Sequence, residues 1–346
     1  MIRLRPHRPA APVLALAAGA ILLLGACGSP GSSSQSPSDG ASDSGGAAAA
    51  AATCPAIPDD QLVVLEDDQH LQTVDNVIPA VNAAAADADP GLVALLDSVS
   101  AALDTDALVA LNKAVDVDRK TSADVAAEWV EAEGVAPSES SAGQGRPIAI
   151  GAADFSESAT LGNIYAAVLK AAGYDATVVT IGNREAYLPA LEAGTQIQVV
   201  PEYAGTLAEF LNKAANGADA TPVASGDLDA TVAALTSLGA DAGLTFGAPS
   251  AAQDQNAFAV TQAFAQEHEL TTLSDLAAAC QGLVLGAGPE CVERPFCQPG
   301  LEEAYGLTFS DFRALDAGGP LTKAALQQGE ITLGLVFSSD GALAAG

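Results

Sequence analysis

From Arg146 onwards the apolar positions alternate between two periods. PIAIGA is a short apolar run of strand type, and SESATLGNIYAAVLKAAG spaces its apolar residues for a helix that ends at Gly173. ATVVTIG predicts a second strand and NREAYLPALEAG a second helix, stopped at Gly194 and complicated by Pro189 inside it. IQVVPEY and AGTLAEFLNKAANG repeat the pair. Such alternation implies a mainly parallel sheet with helices on both faces. Ligands of such sheets sit beyond the carboxyl ends of the strands, here Ala152–Ser158, Gly182–Glu185 and Glu202–Thr206. A second α/β region follows. Asn256–Thr261 reads as a strand, Leu273–Cys280 as a helix and Gly282–Gly286 as a strand; GPLTKAALQQG is a helix, ITLGLVF a strand and DGALAAG helix-like.

Ahead of Arg146 the order differs. LVVLEDD is strand-like, and PGLVALLDSVSAAL, DALVALNKAV and SADVAAEWVEAEG read as helices. APSESSAGQGRP then forms a polar linker in mid-chain. The first residues show a different pattern. Arg3, Arg5 and Arg8 precede an apolar run from about Ala11 to Leu24, too short to span a bilayer comfortably, and Leu24-Gly25-Ala26-Cys27 follows. This is a lipobox. It predicts a signal peptide over 1–26 and a lipidated Cys27. Residues 27–52 then hold the anchor and a tether too poor in large apolar side chains to fold.

Composition narrows the possibilities. The net charge is −30, which excludes nucleic acid as a partner and argues against docking on anionic lipid through the protein surface. Beyond Cys27 there are four cysteines, an even count that favours disulfides in an exported chain. Cys291 and Cys297 flank a short Pro-containing loop and are paired with each other, which leaves Cys54 with Cys280. His7, His70 and His268 are the only histidines and lack ligand spacing, so neither a metal nor a cofactor is expected.

IAIGAADFSESATLGNIYAAVLKAAGY, IGNREAYLPALEAG and VVPEYAGT resemble the osmoprotectant-binding proteins of ABC importers, which capture glycine betaine, choline, carnitine and related quaternary amines. QDQNAFAVT, LDAGGPLTKAALQQGE, FSSDG and LVVLEDDQHLQTVDNVIP resemble later segments of the same family, so the likeness covers nearly all of 59–346. In the family the LVVLEDDQHLQ segment comes last; here it comes first. The resemblance therefore implies a circularly permuted, two-lobe α/β clamshell of the type II periplasmic-binding-protein kind. Lobe A is 72–135 plus 147–254, and lobe B is 59–71 plus 255–346. The stretch 136–146 joins the old ends, and the chain crosses between lobes near Gln72 and near Gln255. Cys54 and Cys280 then share lobe B.

The family holds the ammonium head among aromatic faces, through cation–π attraction of roughly 0.5–2 kcal/mol per contact. Carried over, Tyr203 matches a cage tyrosine and Thr206 its polar neighbour, while Phe337 stands where tyrosine is frequent. Asn256 and Asn76, or its neighbour Asp75, fall at two further cage positions. In the first loop the family's frequent Lys and Gln become Ala153 and Ser158, so Asp154 and Ser158 join the candidate set. Amides in place of two aromatics, and no carboxylate-binding lysine, suit a ligand richer in hydrogen-bonding groups. Each residue has a plainer alternative. Tyr203 and Phe337 can pack in the core, and Asn256 and Asn76 can cap turns. Phe155 and Phe258 read as core, Tyr165 and Trp129 as helix packing, Arg184 and Glu202 as structural partners, and Glu66-Asp67-Asp68 as a solvated strand end.

The resemblance implies a monomeric binding protein, attached to the membrane by its anchor only, that serves an ABC permease and its ATPase. Catalysis is not expected, since GxSxG, HExxH and a usable histidine constellation are all missing. The competing readings are a receptor of the same fold for another polar solute, and a sensor or scaffold without transport.

Overall fold

The protein is seen in a computed structural model that describes residues 52–137 and 142–343. The expected signal peptide, Cys27, nearly all of the expected tether and residues 138–141 lie outside the described residues. The described residues fall in one compact unit.

The chain opens with β1 (Ala52–Thr53), β2 (Leu62–Leu65) and β3 (Val77–Asn82), then α1 (Ala83–Ala88), α2 (Pro90–Ala102), α3 (Thr105–Asp116) and α4 (Ser122–Glu133). An alternating run follows: β4 (Pro147–Ala152), α5 (Ser156–Ala171), β5 (Asp175–Thr180), α6 (Arg184–Ala193), β6 (Val199–Tyr203), α7 (Ala204–Asn216), α8 (Leu228–Asp241) and β7 (Leu244–Phe246). The remainder is β8 (Asn256–Thr261), α9 (Gln262–Glu267), α10 (Leu273–Ala279), β9 (Cys280–Gln281), β10 (Leu283–Ala287), α11 (Gln298–Tyr305), β11 (Phe309–Ala314), α12 (Pro320–Gln327) and β12 (Leu333–Phe337).

Two five-stranded sheets result, one in order β5-β4-β6-β3-β7 and one in order β11-β10-β12-β8-β2. Each carries its own lobe. In the first sheet β4 runs parallel to β5 and β6, and β3 runs antiparallel to β6 and β7. In the second, β10 is parallel to β11 and β12, and β8 is antiparallel to both β12 and β2. The sheets are therefore mixed rather than mainly parallel. The reason is topological: β3 and β8 enter their sheets from the other lobe, so they run opposite to strands that arrive through helical crossovers. Apolar side chains pack on both faces of the first sheet, with Leu96, Leu161 and Ile164 on one and Leu188, Leu207 and Leu235 on the other.

Two passages join the lobes, 66–76 between β2 and β3 and 247–255 between β7 and β8. They touch each other through an antiparallel bridge between Asn76 and Gln253. Asp67 is not a solvated strand end. Its carboxylate accepts the backbone N–H groups of Leu71 (2.9 Å) and Gln72 (2.7 Å) and the Tyr305 hydroxyl, fixing the turn that starts the first passage. The stretch before the linker holds two strands besides β2, the short β1 and β3, which the hydrophobic pattern did not announce. Gly341–Leu343 is a turn rather than the start of a helix. Asp340 accepts the N–H of Ala342 there (2.9 Å), and Gly341 lies so close to the Lys113 backbone that a side chain would not fit. Cys54 bonds Cys280 and Cys291 bonds Cys297, the first pair beside the parallel contact of β1 with β9.

Candidate functional site

Strands β4, β5 and β6 all point their carboxyl ends at the other lobe, and β10, β11 and β12 point back. The loops at those ends enclose a cleft of about 600 Å³. The first lobe contributes Ala153, Asp154 and Phe155 after β4, Gly182–Arg184 and Tyr187 after β5, and Tyr203 and Thr206 at the β6–α7 junction. The second contributes Gly288–Glu290 and Arg294 after β10, Ala314–Ala317 after β11, Leu321 and Phe337. Asp75, Asp254 and Asn256, from the passages and the start of β8, form the back wall.

One side is aromatic. The Phe155 ring centroid is 6.4 Å from that of Tyr203 and 5.7 Å from that of Phe337, so three rings from two lobes make a continuous wall. Phe155 is half-buried and lines the cleft, contrary to its expected place in the core, because the extended residue before α5 turns its ring inward. Phe258, Tyr165 and Trp129 are buried packing residues.

The floor of the first lobe is a buried ion pair. The Arg184 guanidinium donates to Glu202 through Nε (3.0 Å) and through the terminal nitrogen (2.7 Å), and also to the Thr206 hydroxyl (2.9 Å). The Tyr187 hydroxyl donates to the same Glu202 (2.7 Å). Arg184 and Glu202 are thus partners of each other. Asp75 sits beside them and accepts the N–H groups of Gly205 (2.9 Å) and Thr206 (3.0 Å) at the start of α7. Burial pushes the Asp75 carboxyl up to about 7, against the opposing pull of the Thr206 N–H and of Arg184. At the mouth, Arg294 reaches across to both Glu185 oxygens (3.2 and 3.0 Å), while its Nε–H is buried with no partner among the described residues. Burial raises the Glu185 carboxyl, but Arg294, the backbone N–H of Glu185 and Arg184 together hold the group below its ordinary value.

Five of the seven residues proposed from the sequence meet in this cleft: Tyr203, Thr206, Asn256, Phe337 and the exposed Asp154. Two do not. Asn76 is buried behind the wall, with its amide donating to the Ser250 carbonyl (2.8 Å), and its neighbour Asp75 faces the cleft instead. Ser158 is buried in α5, where its hydroxyl accepts the Ala153 N–H (2.8 Å) and shapes the first loop. Asp254, Arg294 and Phe155 also line the cleft and are not among the seven. The available signals were an acid beside the predicted crossover at Gln255 and an arginine inside the Cys291–Cys297 loop.

Carboxylates outnumber cations here. Asp75, Asp154, Asp254, Glu290 and Asp316 line the cleft against Arg184 and Arg294, and both guanidiniums are already bound to glutamates. An aromatic wall with an excess of acid around it favours a cation that cannot donate strong hydrogen bonds of its own.

Two lobes with mixed sheets, two connecting passages and a cleft at the strand ends define a solute receptor of the type II periplasmic-binding-protein fold. The profile of the substrate-binding domain of ABC-type glycine betaine transport systems matches residues 41–132 and 146–345, and the chain belongs to that family. Among solved structures, the chain is similar to one described as the crystal structure of a glycine betaine/carnitine/choline ABC transporter. Identity is 22%, over 57% of this chain and 71% of that one, with a TM-score of 0.36, too loose a likeness to carry an argument. Among the described residues no helix is long and apolar enough to cross a membrane.

Proposed function

We propose that the protein is a monomeric extracytoplasmic receptor, tethered through a lipid on Cys27, that captures a quaternary amine and delivers it to an ABC permease and its ATPase. The observation that carries this reading is the wall of Phe155, Tyr203 and Phe337 inside an acid-rich cleft. Tyr203, Phe155 and Phe337 face the ammonium head. Asp75 and Asp154 supply negative charge, and Thr206 and Asn256 supply polar contacts at the rim. The excess of carboxylates favours choline over a zwitterion. A second reading, glycine betaine, draws on the Nε–H of Arg294, which has no partner among the described residues and suits a ligand carboxylate.

The circular permutation belongs to the same proposal. The family match breaks between 132 and 146, around the linker, and β2, early in the chain, pairs with β8 of the second lobe. Both fit a domain whose original ends are now joined.

A thermal-shift screen of the chain from residue 28 onwards tests the ligand. A compound that binds only the folded state at a hundred times its Kd stabilises by about 2.7 kcal/mol, several degrees for a domain of this size. Choline is expected to raise the melting temperature more than glycine betaine, carnitine, ergothioneine or plain amino acids, and Tyr203→Ala is expected to abolish the shift. A flat response to every quaternary amine by folded protein would reject the ligand class.

A further inference from the structure

Behind the aromatic wall, a carboxylate that the ligand does not reach ties the two lobes together. Glu157, in the first turn of α5, is 4% exposed. One of its oxygens accepts the Tyr203 hydroxyl at 2.5 Å. The other accepts Asn112 of α3 at 2.5 Å and the Ser339 hydroxyl at 2.6 Å. Ser339 belongs to the second lobe, two residues past Phe337. It also donates its backbone N–H to Asp254 of the 247–255 passage (3.3 Å), and its carbonyl accepts Asn112 (3.0 Å). The Glu157 and Asp254 carboxyls thus converge on one residue, Glu157 on the Ser339 hydroxyl and Asp254 on its backbone N–H. One small cluster therefore joins both lobes, one connecting passage and a ring of the ligand wall.

We propose that Glu157 is a positioning residue that shares a proton with Asp254, so that lobe closure, and with it the placing of Tyr203, takes up a proton. The proposal rests on the two-lobe receptor reading but not on the identity of the ligand.

Charge is the physical reason. Two buried carboxylates with no cation cannot both be ionised cheaply, whereas one acid donating to one carboxylate satisfies both. Burial raises both groups above the ordinary carboxylate range; the charge of Glu157 raises Asp254 further, and the hydrogen bonds from Ser339, Tyr203 and Asn112 only partly offset the burial of Glu157. The surroundings do not relieve this. Tyr203 faces the pair from β6 and Asp75 from the 66–76 passage, while Asp116 at the end of α3 accepts the hydroxyl of Ser156, the chain neighbour of Glu157. The cations nearby are engaged, Lys323 with Asp340 beside Ser339 and Arg184 with Glu202. Opening the lobes withdraws Ser339, admits water to Glu157 and releases the proton. The closed form thus binds one proton more than the open form. Its advantage is complete below the ordinary carboxylate range and is lost as pH rises through the raised values of the pair.

Spin labels on exposed Val179 of the first lobe and Glu330 of the second read closure directly in the ligand-free, full-length chain in detergent. Ketone-bearing residues at these sites leave the cysteines alone. Double electron–electron resonance from pH 5 to 9 should show the short distance dominant at low pH, with the closed-to-open ratio falling by up to about tenfold per pH unit. Asp254→Asn keeps a neutral donor to Glu157 and should stay closed across the range. Glu157→Gln, the mirror substitution, serves if the first variant does not fold. A wild-type ratio that does not move while circular dichroism is unchanged would overturn the proposal. So would a variant that keeps the wild-type slope, because a merely structural contact leaves that slope intact.

Discussion

Replacing Arg184 with leucine should destabilise the first lobe more than any other single change in the cleft. The side chains of Arg184 and Glu202 are 6% and 0% exposed, and the pair is bidentate. Arg184→Leu deletes both bonds to Glu202 and the bond to Thr206. It leaves Glu202 buried with only the Tyr187 hydroxyl and the Tyr203 N–H as donors. Stranding one partner of a buried ion pair costs about 3–5 kcal/mol. At roughly 2–4 °C per kcal/mol for a domain of this size, the melting temperature should fall by about 6–20 °C. The double variant Arg184→Leu/Glu202→Leu removes the stranded charge and should recover most of that loss, since apolar replacements of buried pairs are often neutral. Urea unfolding of the wild type, both single variants and the double variant closes the cycle. A loss below about 1 kcal/mol in Arg184→Leu, or a double variant no more stable than that single one, would show that the pair does not frame the site.

Asp75→Asn tests the buried acid beside that pair. Because burial raises Asp75 to about 7, its contribution is full below the ordinary carboxylate value and is lost as pH rises through about 7. Wild-type stability in urea should therefore fall between pH 5 and 8, and Asp75→Asn should flatten the curve by up to about 1.4 kcal/mol per pH unit. Identical slopes would reject the assignment. The permutation is tested by reopening the chain within 136–146 and joining residue 346 to residue 59, with Cys280→Ser because Cys54 is lost. That chain should fold and give the same ligand response, less stable by about 2–4 kcal/mol for the missing disulfide. Failure to fold would count against the permutation.

The run from β4 to α7 was legible because its helices stop on glycine where the chain turns, as at Gly194, whose φ of 63° favours a residue without a Cβ. Strand β3 was not legible, for two reasons. All six residues are buried, so period-2 alternation is absent, and Pro79 argues against an interior strand. The structure resolves the conflict by setting Pro79 opposite Pro201 of β6, where neither residue needs to donate a ladder hydrogen bond. Strand β11 was missed for the opposite reason: FSDFRA lies at a sheet edge and is half exposed, with too few apolar positions to mark it. In the site, Tyr203 and Thr206 could be found because the strand–helix junction fixes where they point. Asn76 and Asp75 could not be told apart, because neighbours in an extended segment face opposite ways and only the register of β3 decides which one meets the cleft.

Net charge was the least informative signal when read as a bulk property. A total of −30 explains solubility equally well wherever the acids lie. Their placement separates three roles. Asp154 is exposed at the mouth and acts as an ordinary surface charge near the ligand. Asp75 is buried beside the ligand space, so a bound cation favours its ionised form and capture releases a proton there. Glu157 is buried behind the wall and Asp254 within it, and on the proposal above closure favours the form that keeps a proton between them. On these proposals capture and closure respond to pH in opposite directions, through acids on two passages that touch, the Asp254 N–H donating to the Asp75 carbonyl (3.1 Å). The affinity of such a receptor for a cation should pass through a maximum, lying between the pH at which Asp75 is still protonated and the pH at which the Glu157–Asp254 pair gives up its proton.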